Sequence, residues 1–155
     1  MKAGIVCAVA SFAVAATATG AQAPGDDAGV RGVVERLFDG MRRADSGMVR
    51  PLFHPKARLI TTSARDGAPV VQVQDSVEGF IRSIGRPRTE VFDERLFNVK
   101  VSIDGPLASV WADYSFYRGS TFSHCGVDHF LLVKQAAGWQ IIELSDTRRT
   151  TGCAG

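Results

Sequence analysis

The chain has 155 residues, 45% of them hydrophobic and 22% charged, with a formal net charge of +2. That composition supplies enough apolar side chain for one packed core of ordinary domain size and excludes an intrinsically disordered polymer. The charges are scattered and nearly balanced, which excludes a nucleic-acid surface, since that needs a clustered basic stripe.

In chain order, Lys2 precedes an uncharged stretch rich in Ala and Val from Ala3 to Ala18, and the small residues Thr19, Gly20 and Ala21 follow. This is the pattern of a secretory signal peptide over residues 1–21. Cleavage after Ala21 is favoured over cleavage after Ala23, which would leave Pro24 at the first mature position. The stretch is too short and too rich in Ala and Thr to be a membrane span, which takes roughly 20 strongly apolar residues. The expected location is therefore the periplasm or the exterior, with no membrane attachment after cleavage. Removing the signal also removes Cys7 and leaves Cys125 and Cys153, which an oxidising compartment pairs. The loop so closed, of about 29 residues, would stabilise the fold by about 3.5 kcal/mol. Two free buried thiols are the alternative.

Residues 22–29 read as a loose polar lead and residues 30–150 as one domain, with 151–155 as a tail. Val30, Val33, Val34, Leu37, Phe38 and Met41 repeat at helical spacing and predict a helix with one apolar stripe. Ser46 caps a second, short helix that carries Val49, Leu52 and Phe53 and stops at His54-Pro55. A hairpin follows, with strands at 57–62 and 70–73 around Asp66-Gly67. A third helix bears Val77, Phe80, Ile81 and Ile84 and closes at Gly85. From residue 90 the period changes to two. Strands at 90–103, 107–118, 121–133 and 139–147 form a meander with turns at Asp104-Gly105, Gly119-Ser120 and Gly138. In the first of these, Arg95, Phe97, Val99 and Val101 oppose Glu94, Asn98, Lys100 and Ser102. A long meander covered by helices has to curl, and the curl leaves a hollow suited to a small ligand.

Several segments carry a resemblance. The opening helix, Leu52-Phe53-His54-Pro55, the strand through Trp111-Ala112-Asp113-Tyr114-Ser115-Phe116-Tyr117, the run Phe122-Ser123-His124-Cys125-Gly126-Val127-Asp128, Thr147-Arg148-Arg149 and the closing Gly138-Trp139-Gln140-Ile141 resemble the nuclear transport factor 2-like superfamily. Within it the chain is most similar to the putative lumazine-binding group related to the SnoaL-like proteins, over about residues 28–150. The resemblance implies an α+β cone in which three N-terminal helices pack on a curved, mostly antiparallel sheet around a pocket. It also implies a homodimer. No reaction is implied, because the scaffold serves dehydratases, isomerases, cyclases and plain binders.

On a regular strand His124, Gly126, Asp128, Phe130 and Leu132 share one face, and Cys125, Val127, His129 and Leu131 the other. Either face could be the buried one. His124 and Asp128 are the candidates for contact with a ligand or for acid/base chemistry, His because it titrates near neutrality, with Gly126 leaving room between them. Trp111, Tyr114 and Tyr117 are candidate aromatic walls, His54 a candidate at the cavity mouth, and Arg148 a candidate for an anionic group or a surface ion pair. No metal site is expected, since His54, His124 and His129 do not converge, and no cofactor motif is present. Three functions remain open at this point: an exported binder of a small, planar or aromatic molecule; a cofactor-free hydratase, dehydratase or isomerase using His124 and Asp128; and a dimerisation or partner-contact module.

Overall fold

The computed structural model describes residues 24–154. The expected signal segment, 1–21, lies outside the described residues. Helix α1, Pro24–Arg43, begins within the segment expected to be a loose lead. Three features account for the correction. Proline is tolerated at a helix start, Asp26 and Asp27 lie in the first turn where the helix dipole favours anions, and Arg42 and Arg43 lie in the last. The lead is also tied down, since Lys134 pairs with Asp26 and Gly29 abuts the Trp139 ring so closely that a β-carbon would lie 3.1 Å from it. The apolar stripe Val30, Val33, Val34, Leu37, Phe38 and Met41 is buried along its whole length.

Helix α2 is shorter than expected. It runs only from Ser46 to Val49, capped by Asp45, whose carboxylate accepts from the Met48 amide at 2.9 Å, and a 3-10 turn at Arg50–Leu52 follows. Pro51 cannot donate the next helical bond. Phe53, His54 and Pro55 therefore begin strand β1, Phe53–Arg65, rather than close a helix. Pro55 is tolerated there because β2, Ala68–Gln74, pairs only with the part of β1 from Leu59 onward. Helix α3, Glu78–Ile84, ends at Gly85.

Strands β3 (Phe92–Asp104), β4 (Leu107–Arg118), β5 (Thr121–Gln135) and β6 (Gly138–Arg148) form the meander. All six strands join one curved sheet in the order β2-β1-β6-β5-β4-β3, antiparallel except for β1 beside β6. Each strand of the meander meets a register shift, and a β-bulge bends and twists its strand. The bulge in β3 lies between Phe97 and Lys100, where Asn98 has φ of 51°. The concave face packs on α1 through Val110, Phe130, Leu132 and Ile141, all buried, and the Phe38 and Phe130 rings meet edge-on at 6.0 Å.

No helix among the described residues is long and apolar enough to cross a membrane. The Cys125 and Cys153 sulfurs are joined, with α-carbons 5.8 Å apart. Cys125 and Arg149 also exchange two backbone hydrogen bonds of 2.8 and 2.9 Å, which carry the β5–β6 pairing past the end of β6, and the disulfide ties the following tail back to β5.

Candidate functional site

Toward one end of the concave face the apolar core gives way to polar side chains, and every strand contributes at least one. Thr61 comes from β1, Gln74 from β2, Glu94 from β3, Tyr114 from β4, His124 and Asp128 from β5, and Asp146 and Arg148 from β6. They surround a cavity of about 100 Å³ that is closed on the helical side by Leu37, Phe38, Met41 and Phe80. This is below the roughly 150 Å³ of an engineered apolar cavity that holds benzene. A wider hollow of about 450 Å³ adjoins it and shares Met41, Phe80, Glu94, His124 and Arg148.

The register explains how these groups meet. Tyr114 lies directly opposite Gly126, and Asp128 is opposite Asp146. The Tyr114 ring crosses over Gly126 and its hydroxyl donates to the Thr147 carbonyl at 2.9 Å. A β-carbon at position 126 would lie 1.8 Å from that carbonyl oxygen and 2.8 Å from the tyrosine ring. The room that the glycine leaves is thus filled by Tyr114, not left for a ligand. Burial, with the neighbouring carboxyls, raises the Tyr114 pKa and keeps the phenol neutral.

Asp146 is fully engaged. Its two oxygens accept from Thr61 Oγ1 and from Arg148 Nε, both at 2.6 Å. Glu94 and Asp128 differ from it. Their carboxyls lie within hydrogen-bonding reach of each other, and Asp128 Oδ2 is buried without any protein donor. Burial, the charge of Glu94 and their mutual hydrogen bond raise the Asp128 pKa well above the ordinary carboxyl range. Burial, followed by the nearby Asp146, pushes Glu94 up to about 7, although its hydrogen bond from Asp128 works in the opposite direction. Such a pair shares a proton, with Asp128 as donor and Glu94 as acceptor. His124 stands beside them, its ring 5.7 Å from Tyr114 and 5.0 Å from Phe116, with Nδ1 3.0 Å from the Ser123 hydroxyl. Burial, Arg148 and Arg118 lower its pKa, so the imidazole is neutral at pH 7.

Of the residues singled out from the sequence, the structure brings Tyr114, His124, Asp128 and Arg148 together. His54, Trp111 and Tyr117 are elsewhere. His54 lines a separate surface hollow with Arg50 and Glu78, and its Nδ1 accepts from the Lys56 amide at 3.1 Å. Trp111 is on the outer face, half exposed and tilted against His129. Tyr117 is also on the outer face, between Phe122 and Arg95. Parity separates them from the site, because Tyr114 and Phe116 point inward from the same strand. Glu94 and Asp146 went unnoticed as site residues. An unbroken period of two had placed Glu94 on the polar outer face of β3; the bulge at Asn98 resets the parity, so Glu94 and Leu96 share the inner face with Val99 and Val101. Among the described residues no group of His, Cys, Asp and Glu has the arrangement of a metal site.

A comparison with curated proteins finds no match. Among solved structures, similar folds include a nuclear transport factor 2-like protein with a cystatin-like fold from Novosphingobium aromaticivorans (14% identity, 84% of this chain and 85% of that chain, TM-score 0.66). A putative dehydratase of the same superfamily from Streptomyces avermitilis is another (16%, 81% and 97%, 0.62). The β subunit of a putative aromatic-ring-hydroxylating dioxygenase from Novosphingobium aromaticivorans is a third (10%, 82% and 91%, 0.65). Identities this low establish a shared fold alone. The family model described as putative lumazine-binding matches residues 25–144, most of the described chain, and on that match the protein belongs to the putative lumazine-binding family of the nuclear transport factor 2-like fold.

Proposed function

We propose that this is an exported binding protein that holds a small, planar molecule rich in N–H or O–H donors on the concave face of its sheet. The observation that carries this reading is the Glu94–Asp128 pair. Two carboxyls line one cavity and share one hydrogen bond with each other, and among the described residues Asp128 Oδ2 is buried with no donor. Burying such groups unpaired costs several kcal/mol, and a ligand that donates hydrogen bonds removes the cost. An unfilled hollow with polar walls also favours ligand binding over a pure contact module, whose cavity would be packed with its own side chains. Export rests on the signal-like segment and the Cys125–Cys153 bond, and self-association on the half-apolar outer face that carries Trp111, Leu107 and Phe122.

The test is a fluorescence titration with lumazine and a panel of N–H-bearing planar heterocycles. Micromolar binding is expected, weakened at least tenfold by Asp128→Leu, which is similar in size and removes both the free acceptor and the hydrogen bond to Glu94. A folded wild-type protein that binds none of the panel would refute the reading.

One second reading has its own observation. A carboxyl pushed up to about 7 beside a second, protonated carboxyl is a general base paired with a general acid. It supports cofactor-free acid/base chemistry on the bound molecule. Recovery of the ligand chemically unchanged after prolonged incubation would exclude it.

A further inference from the structure

The wider hollow outside the carboxyl pair has the opposite electrostatic character. It is walled by Phe80, Phe92 and Phe116, and Arg118 and Arg148 stand at its rim. Arg148 spends only Nε on Asp146, and its terminal nitrogens make no hydrogen bond among the described residues. Arg118 has no carboxylate partner among the described residues; its guanidinium lies 5.5 Å from the Phe92 ring centre. Arg88, 4.1 Å from the same ring centre, is different, because its terminal nitrogens donate to the carbonyls of Met41 and Ser83. Two guanidinium groups with donors to spare line one aromatic-walled hollow, and their planar donors suit a carboxylate or phosphate. Glu94 is the one carboxyl lining this hollow, and it points back toward Asp128.

We infer that the hollow is an anion subsite, so that the ligand is a small aromatic acid with a donor group at one end for Glu94 and Asp128 and an oxyanion at the other for Arg118 and Arg148. This rests on the cavity reading above and extends it. Asp128 pairs with Asp146, and Arg148 is two residues further along β6, about 7 Å of strand. A single substituted ring bridges such a gap, with its face against the phenylalanines.

His124 reports on the subsite. Its imidazole faces Arg148, Arg118 and Asp146, and Ser123, Tyr114 and Phe116 complete its surroundings. An anion between the two arginines offsets their charge and makes the imidazole more basic.

The experiment uses 4-aminobenzoate, aniline, benzoate and phenyl phosphate, with calorimetry for affinity and NMR for the His124 titration. Expected is binding of 4-aminobenzoate at least tenfold tighter than aniline, a rise in the His124 pKa with 4-aminobenzoate but not with aniline, and loss of the tenfold preference in Arg118→Gln. Benzoate and phenyl phosphate, compared with each other, tell whether the subsite favours a carboxylate or a phosphate. Aniline bound as tightly as 4-aminobenzoate overturns the anion subsite and leaves the donor site standing. An unchanged preference in Arg118→Gln together with a His124 titration indifferent to the acid also overturns it. Benzoate binding without any added affinity from the 4-amino group would retain the anion subsite and instead remove the donor end.

Discussion

A carboxyl that is hard to ionise in the folded chain makes folding sensitive to pH, and Glu94 provides the cleanest case. Its ordinary pKa of 4.5 is raised to about 7 by burial and by Asp146. The unfolded chain therefore releases this proton near 4.5 while the folded chain keeps it. Below the unfolded value both states are protonated and the site costs nothing. Between that value and about 7 the folded state binds more protons, so stability falls as pH rises, and above the folded value the loss is complete. At about 1.4 kcal/mol per pH unit the gap corresponds to about 3 kcal/mol. Glu94→Gln keeps the side chain's shape, cannot ionise, and relieves the charge that Asp128 meets. At pH 8 it should therefore raise stability by up to about 3 kcal/mol, equivalent to roughly 10 °C in Tm for a domain of this size. At pH 4.5 it should change little. Urea unfolding of both proteins at intervals from pH 4.5 to 8.5 measures the two curves. Parallel curves, or a variant less stable at every pH, would refute the reasoning, because the latter is the signature of a lost ion pair. A gain in stability at the expense of ligand response is what a functional site predicts.

Three further outcomes are expected, two from the structure and one from the sequence. Non-reducing mass spectrometry of exported protein should find Cys125 linked to Cys153, and Cys153→Ser should lower stability by about 3.5 kcal/mol; a reductant that leaves the wild-type Tm unchanged would contradict this. Gly126→Ala forces a β-carbon to within 1.8 Å of the Thr147 carbonyl, so the sheet or Tyr114 must move. The expected loss is about 3 kcal/mol or more, and a Tm within two or three degrees of wild type would show that the close approach is not real. For export, N-terminal sequencing of the periplasmic fraction of a Gram-negative host should give a chain beginning at Gln22, and a full-length product held in the membrane would count against the signal peptide.

Much of the fold is legible in the sequence because its signals are periodic. The stripe from Val30 to Met41 can bury only as a helix, and the four meander strands end at Asp104-Gly105, Gly119-Ser120 and Gly138, where turn chemistry leaves little choice. Elements set by competing local effects are harder to read. Nothing polar in residues 22–29 distinguishes a loose lead from a helix start until its partners Lys134 and Trp139, more than 100 residues away, are known. Ser46 and Asp45 are both good caps, and only the geometry selects Asp45.

The site was half legible for a related reason. Parity along β5 groups His124 and Asp128 correctly because that strand is regular between them, its extra residue falling at Ser123. Parity along β3 fails because Asn98, one of the few residue types that adopts a positive φ readily, inserts a bulge and turns the inner face over. Read without the bulge, Glu94 is an ordinary surface acid opposite Phe97. With it, the same residue becomes the partner that gives Asp128 its chemistry. A sequence pattern can therefore name residues that lie on one strand, but a pair split between β3 and β5 depends on a backbone irregularity whose only trace is an asparagine in the middle of an alternating run. An isolated Asn, Asp or Gly in such a run is the place to test both parities before the inward face is assigned. Tested that way, β3 yields Phe92, Glu94, Leu96, Val99 and Val101 as one face, and the lone acid among them is the residue to examine first.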